Sequence, residues 1–138
     1  MMFREIVQFI CDQTGFVLGT NLFAGHRPQN TPDRCVLIAE TAGGSTIPSE
    51  KDMADFQIQA LSRAKTYFEA REDCWTVYEA IHSTFGWNMP NWTGSGDDYL
   101  AMSVYALAIP QYIGQDENGR YEFSVNFIFH CEVASCGT

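Results

Sequence analysis

The chain has 138 residues, of which 46% are hydrophobic, 14% aromatic and 18% charged. This length fits one globular domain, residues 1–138, with a core large enough to fold alone. The net charge of −9 argues against sequence-independent binding of nucleic acid, which needs clustered Lys and Arg. No apolar run approaches the roughly 20 residues that a membrane-spanning helix requires, so we expect no membrane partner.

An amphipathic helix is predicted at the N-terminus. Its apolar residues recur at helical spacing, whereas the residues between them are polar and are predicted to point away from the core. The helix should run for about three turns and stop near Thr14. The apolar set is Phe3, Ile6, Val7 and Ile10, and the polar set is Arg4, Glu5, Gln8 and Asp12.

Two strands and two loops follow this helix. A strand is predicted near residues 20–24, and a loop with two prolines spans 25–33. The continuous apolar run at 35–39 indicates a central strand that is buried on both faces. The connector 43–52 has no apolar rhythm and is predicted to be a mobile or partner-ordered loop.

The middle of the chain is predicted to be a strand that leads directly into a helix. Apolar and polar residues alternate at 54–60, which is typical of a half-buried strand. Apolar residues then recur at helical spacing up to Phe85, and Gly86 is predicted to end that helix. The apolar stripe is Ala70, Cys74, Val77, Tyr78, Ile81 and Phe85, and the polar side is Glu69, Glu72, Asp73, Glu79 and His82.

The last third of the chain is predicted to be a loop followed by two strands. Residues 87–98 contain two tryptophans among Pro, Gly and Asn, and we expect a partner-binding loop there. Tyr99 to Ile109 reads as a long strand, although a helix is an alternative. Asn118-Gly119 is a strong hairpin signal, residues 121–129 alternate as a strand, and residues 134–138 are predicted to fray.

These elements predict an α+β fold. We expect a mixed, mostly antiparallel sheet of about 4–5 strands with two helices packed against it. The sequence contains no repeat that would indicate a second domain.

The sequence offers no recognisable catalytic or metal-binding pattern. None of its three histidines has a second ligand at a metal-binding spacing, and residues 94–98 lack the pattern of a calcium loop. Cys35, Cys74 and Cys131 lie in apolar patterns, where a thiol has a raised pKa and low reactivity. We therefore expect no catalytic residue, no metal and no cofactor, and a structural or assembly role rather than an enzyme.

Several segments, in a fixed order, resemble the tail terminator (tail-completion, minor capsid) proteins of long-tailed bacteriophages. The resemblance covers most of the chain from residue 3 to residue 130. Its segments are the N-terminal helix, the loop from Arg27-Pro28 to Pro32-Asp33, the strand and turn 35–44, the strand 55–59 with Arg63, the helix ending at 77–81, and the hairpin 116–127. Departures from the family pattern occur at 45–52 and 87–98.

The resemblance implies a non-enzymatic virion protein that assembles into a ring, typically a hexamer, at the head-proximal end of the tail. Such a ring caps the tail tube, stops its elongation and provides the surface for head–tail joining. The implied partners are further copies of the chain, the tail tube protein, the head-side connector or stopper protein, and genomic DNA that passes through the lumen without specific binding. Assembly is expected in the host cytoplasm.

Two other functions compete with this interpretation. A head-closure or neck protein of the phage belongs to the same structural class, and a small α+β hydrolase or ligand-binding domain belongs to a different one. We predict that eight residues contact another subunit or partner, because they are aromatic or charged, are expected to be exposed, or lie in loops. These residues are Arg27, Glu40, Lys51, Arg63, Trp87, Trp92, Asp97 and Asp98.

Overall fold

The computed structural model describes residues 2–41, 45–47, 50–94 and 96–133, without the side chains of 45–47, 50–52 and 133. These residues form two helices and eight strands. In chain order they are α1 (Phe3–Thr14), β1 (Leu22–Ala24), β2 (Cys35–Glu40), β3 (Ser45–Ile47), β4 (Glu50–Ala64), α2 (Tyr67–Ile81), β5 (Thr84–Met89), β6 (Tyr99–Ala106), β7 (Gln111–Gln115) and β8 (Tyr121–Val133).

The eight strands occupy six positions in one sheet, in the order β1, β2, β4, β8, β6, β5. Strands β2 and β3 pair with successive parts of the same edge of β4. Strands β6 and β7 likewise follow one another along β8. Only the β1–β2 pair is parallel among the described strands, so the expected α+β class with a mixed, mostly antiparallel sheet is confirmed.

The centre of the sheet is the pair β4–β8, in register from Met53↔Glu132 to Ala64↔Tyr121. Alternate residues of each strand face opposite sides. Phe127 and Phe129 of β8 are fully buried, and the ring of Phe129 meets that of Phe9 from α1 edge-to-face at 5.9 Å. Both helices cover this side of the sheet. The other side, which we call the open face, carries alternating residues such as Gln57 and Asn126, which are half-buried.

Local sequence explains where the helices begin and end. The Oγ1 of Thr66 accepts the Glu69 backbone N–H and donates to the Glu69 carboxylate, so Thr66 is the N-cap that starts α2. Gly15 ends α1 with φ +85°, a left-handed conformation that glycine adopts without steric cost. The predicted first helix is therefore confirmed.

The structure corrects the prediction for the region after α2. The helix ends at Ile81, with His82 at its C-cap, so neither Phe85 nor Gly86 belongs to it. Both lie in β5, where Phe85 is 72% exposed. The prediction was wrong because Phe85 follows Ile81 by four residues, which continues a helical stripe by coincidence.

The estimate of about 4–5 strands was too low because it missed β3, β5 and β7. The connector 43–52, predicted to be a loop, contains β3 and the start of β4. The loop predicted at 87–98 begins later, since Trp87 lies in β5. The fraying predicted for 134–138 lies outside the described residues.

Candidate functional site

Arg63, a predicted partner-contacting residue, is buried within the subunit. Its side chain is 4% exposed. Its Nε donates to the carbonyl of Asp33 at 3.2 Å, and its Nη2 donates to the Pro32 carbonyl at 2.7 Å and to Thr31 Oγ1 at 3.1 Å. The strand thus holds the loop that leads into β2, and burial lowers the pKa of the guanidinium.

The same loop is held by further ion pairs, which with Arg63 we call the Arg63 corner. The Asp33 carboxylate accepts from Lys65 and Arg120, each at 3.2 Å. The hydrogen bond from Lys65 is the largest of the effects that lower the Asp33 pKa. Arg27, also predicted to contact a partner, instead pairs with Glu122 at 3.3 Å.

The polar side of α2 is also partly engaged inside the subunit. Arg34 donates through Nε and Nη2 to the two oxygens of Asp73, at 3.0 and 2.9 Å, and through Nη1 to Glu69 at 3.0 Å. These carboxylates raise the Arg34 pKa, mainly because Asp73 accepts hydrogen bonds from the guanidinium. Asp73 is 6% exposed, so the prediction that it lies on the solvent side of the helix was wrong.

Trp92 lies in the loop between β5 and β6 and packs against the start of α1. The Arg4 guanidinium carbon is 4.1 Å from the centroid of the Trp92 ring, a cation–π geometry. The backbone N–H of Trp92 donates to Glu5 Oε2 at 3.0 Å. The indole is nevertheless 58% exposed, so it combines a fixed position with a large accessible surface.

Glu5 is a residue of this site that was not predicted from the sequence. It was assigned to the polar face of the first helix, yet it is 2% exposed. Its Oε1 is buried and has no hydrogen-bond partner among the described residues. The available signal was its position four residues before Phe9, which places the two on one helix face, but Phe9 was itself absent from the predicted stripe.

The residues around Glu5 and Trp92 form a cleft, which we call the Glu5 cleft. It has a volume of about 320 Å³, and a second hollow of about 540 Å³ shares Glu5 and Trp92 in its lining. The cleft is lined by Arg4, Glu5, Gln8, Phe9, Asp12, Leu18, Met89, Pro90, Asn91 and Trp92.

The two acidic residues predicted for this loop have different environments. Asp97 is exposed, and no contact of its carboxylate is found in the described structure. Asp98 is half-buried, and its carboxylate accepts the Asn91 backbone N–H at 3.0 Å and the Asn88 amide at 3.2 Å. These hydrogen bonds, that of Asn91 first, lower the Asp98 pKa. Asp98 therefore fastens the loop that carries Trp92.

The remaining predicted contact residues lie on strands. Trp87 of β5 is 40% exposed, and its ring lies 5.6 Å from that of Phe9. Glu40 is exposed at the end of β2, whereas the side chain of Lys51 lies outside those described. The structure thus places Trp87 and Trp92 against the same helix, α1, Trp87 beside Phe9 and Trp92 beside the first turn.

Chemically reactive side chains are poorly placed for catalysis. His130 contacts the Asp55 carboxylate on the open face, with Ser103 opposite His130 in the register, but these three residues line none of five main clefts that the described residues form. No cluster that could hold a metal occurs among the described residues. Nor is any described helix long and apolar enough to cross a membrane.

The cysteines behave as core residues, as predicted. Cys35, Cys74 and Cys131 are at most 1% exposed. Burial raises the pKa of Cys35 and raises those of Cys74 and Cys131 to about 12. A thiol with so high a pKa is protonated at neutral pH and is a poor nucleophile.

The fold and this site define a class: an α+β subunit whose distinctive surface is suited to contact rather than chemistry. Comparison of the sequence with models of known protein families identifies a specific family. Residues 9–133 match the family model described as Bacteriophage tail terminator protein, and no curated protein matches the chain. Because the match covers most of the sequence, the chain belongs to the bacteriophage tail terminator family.

Membership confirms the family that the sequence segments indicated. The family is a structural one, so the protein is a component of the virion tail that interacts with other tail components.

Proposed function

We propose that this protein forms a ring, with six subunits as the expected number, that caps the tail tube and stops its elongation. The ring also provides the surface to which the head-side connector or stopper protein binds. Its position is the head-proximal end of the tail, and it assembles in the host cytoplasm. Family membership supports the terminator role, and the distribution of exposed apolar residues supports the ring.

The observation that carries the ring is an apolar surface along one edge of the sheet, which we call the edge patch. It follows the free strand β5 and the segment from the end of β6 through β7. Contiguous exposed apolar surface marks interaction sites, and a free strand edge offers unpaired backbone groups to a neighbour. The edge patch comprises Phe85, Tyr105, Leu107, Ile109 and Ile113, each between 45% and 72% exposed.

A ring needs two unlike surfaces on each subunit, because head-to-tail contacts join different patches of neighbouring copies. The first turn of α2 offers a second apolar surface. Phe68 there is 78% exposed and stacks edge-to-face with Tyr67 at 5.6 Å. We infer that this turn meets the edge patch of the next subunit.

Charge supports passage of genomic DNA without specific binding. A ring multiplies the net charge of −9, so a polyanion in its lumen would meet like charge. Among the described side chains of β4 and β8, the single Lys or Arg is Arg63, which is buried, and the imidazole of His130 contacts Asp55. The open face therefore suits the lumen.

Two measurements test this proposal. Native mass spectrometry of the protein mixed with tail tubes should detect a ring, and electron microscopy of tails assembled without the protein should show overlong tubes. Tubes of normal length without it would contradict termination. A ring whose lumen is lined by Lys and Arg would contradict the proposal that DNA passes through a negatively charged lumen without binding.

The edge patch makes a sharper prediction. Phe85→Ser combined with Ile113→Ser should abolish ring formation while leaving the subunit folded, because both side chains are largely in solvent. Val17→Ser is the matched control, since Val17 is 55% exposed outside the patch. Rings that persist in the double variant would rule out the edge patch as the subunit interface.

A further inference from the structure

We propose that the Glu5 cleft binds a lysine or arginine side chain that projects from another tail protein. This inference deepens the proposed function and rests on it for the identity of the partner as a tail protein. It does not depend on ring formation, because all the groups that form the cleft belong to one subunit.

The carboxylate of Glu5 has incomplete hydrogen bonding. One carboxylate oxygen accepts from the Trp92 backbone at 3.0 Å, whereas Oε1 is buried without a partner in the described part of the chain. A carboxylate is acceptor-only and has room for several donors. A buried carboxylate normally has a partner for each oxygen, because leaving one unpaired is costly. Glu5 therefore lacks a donor.

Arg4, although adjacent, does not supply that donor. Its guanidinium lies over the Trp92 ring, 4.1 Å from the centroid, and no ion pair joins it to Glu5 in the described structure. Arg4 is also the one basic residue among those that line the cleft. Against it stand the carboxylates of Glu5 and Asp12, so the cleft has an excess of negative charge.

The walls of the cleft match a lysine or arginine side chain in shape and composition. Phe9, Met89 and Trp92 are apolar or aromatic, while Glu5 and Asp12 are acidic. Lysine and arginine have this same division, with an apolar stem and a cationic end. The volume of about 320 Å³ is at the small end for ligand pockets and suits one inserted side chain. A cation over the face of Trp92 gains further attraction from the ring.

The basic group comes from a different protein. In this chain every described Lys and Arg side chain already contacts a carboxylate, an aromatic ring or backbone carbonyls, and the side chain of Lys51 lies outside the description. The pairs are Arg4 with Trp92, Arg27 with Glu122, Arg34 with Asp73, Arg63 with Pro32, Lys65 with Asp33, Arg71 with Trp75, and Arg120 with Asp116. With any of these seven residues, a second copy of the chain would have to break an existing contact, whereas a partner with a free basic residue would not.

The test is a titration of the isotope-labelled protein followed by nuclear magnetic resonance. The probes are N-acetyl-lysine amide and N-acetyl-arginine amide, with N-acetyl-citrulline amide as the neutral control. We expect the cationic probes to shift the Trp92 backbone and indole N–H signals saturably, with dissociation constants in the millimolar range. Citrulline should not produce a saturable shift.

Variants then locate the binding. Glu5→Gln keeps the acceptor for the Trp92 N–H and removes the charge, and it should weaken binding of both cationic probes roughly tenfold. Arg4→Gln should strengthen binding because it removes the competing cation. Glu117→Gln, at an exposed position of the β7–β8 hairpin, is the matched control and should bind as the wild type does.

Three results would overturn the inference: no saturable shift at Trp92, equal binding of citrulline, or unchanged binding by Glu5→Gln. Thermal unfolding monitored by circular dichroism verifies that each variant is folded. Since the titration uses the isolated chain, binding with no ring in electron micrographs would count against the proposed function alone. A ring without cation binding would count against the cleft alone.

Discussion

The Arg63 corner and the Glu5 cleft both contain a buried ionisable side chain, but they differ in how completely it is paired. Arg63 makes three hydrogen bonds to one loop, and the neighbouring Asp33 binds two cations. Glu5 makes one hydrogen bond and keeps an unpaired oxygen. A group held by several hydrogen bonds stabilises the fold, whereas a buried oxygen without a partner leaves capacity for a ligand.

The largest expected effect is at the Arg63 corner. Arg63→Gln removes the donors that hold Pro32 and Asp33, and we expect a loss of about 2–4 kcal/mol in the free energy of unfolding. Urea denaturation measures it. Arg71→Gln is the control, because Arg71 is exposed over the ring of Trp75 at 5.0 Å and should cost about 0.5 kcal/mol. Equal losses for the two variants would show that the buried hydrogen bonds of Arg63 contribute no more to stability than the exposed contact of Arg71.

A smaller effect on stability, but a larger one on assembly, is expected at the cleft. Trp92→Ala removes a half-exposed ring and its contact with Arg4, which should cost about 1 kcal/mol or less. The backbone hydrogen bond to Glu5 remains possible in the variant. We expect the subunit to stay folded while head–tail joining in an assembly assay is impaired. A marked fall in melting temperature with normal joining would show that Trp92 serves only the fold.

The smallest expected effect concerns pH. The pKa of Asp98 is lowered in the folded chain, so its stabilising contribution is present above the ordinary aspartate pKa of about 3.9 and is lost as the pH falls through the lower folded value. The Asn91 amide signal should therefore shift below about pH 4. Asp98→Asn should lose this transition and Asp97→Asn should keep it. A transition that persists in Asp98→Asn would assign it to another carboxylate.

The helices and strands that were predicted correctly are those with a strong local pattern of apolar and polar residues. The alternation that defines β8, the apolar run of β2 and the helical stripe of α1 each follow from the periodicity of side chains facing one core. The strands that were missed lack such a pattern. In β5, Phe85 is exposed and Gly86 has φ +67°, while β7 follows Pro110 and contains Gly114 with φ +117°. The extended conformation of β5 results from its pairing with β6, and that of β7 results from its pairing with β8.

The candidate site was predictable only in part. Trp92 stood out because large aromatic residues are unusual in a loop rich in Gly and Asn. Glu5 did not, since its burial results from a loop about 87 residues later in the chain that folds over the first turn of α1. Arg63 was misplaced for a similar reason, because its acceptors lie 30–32 residues earlier. The local periodicity of apolar and polar residues gives no information on contacts between residues so far apart in the chain.

The pairing of β4 with β8 also has a consequence for the timing of folding. The end of β4 at Ala64 and the start of β8 at Tyr121 are paired, although helix α2 and three strands lie between them in the chain. During synthesis the centre of the sheet therefore cannot form until the residues of β8 (Tyr121–Val133) have left the ribosome. Such non-local pairing slows folding, and it ensures that a truncated chain lacks the scaffold on which β6 and β5 are laid down. We therefore expect a chain that ends before β8 not to fold.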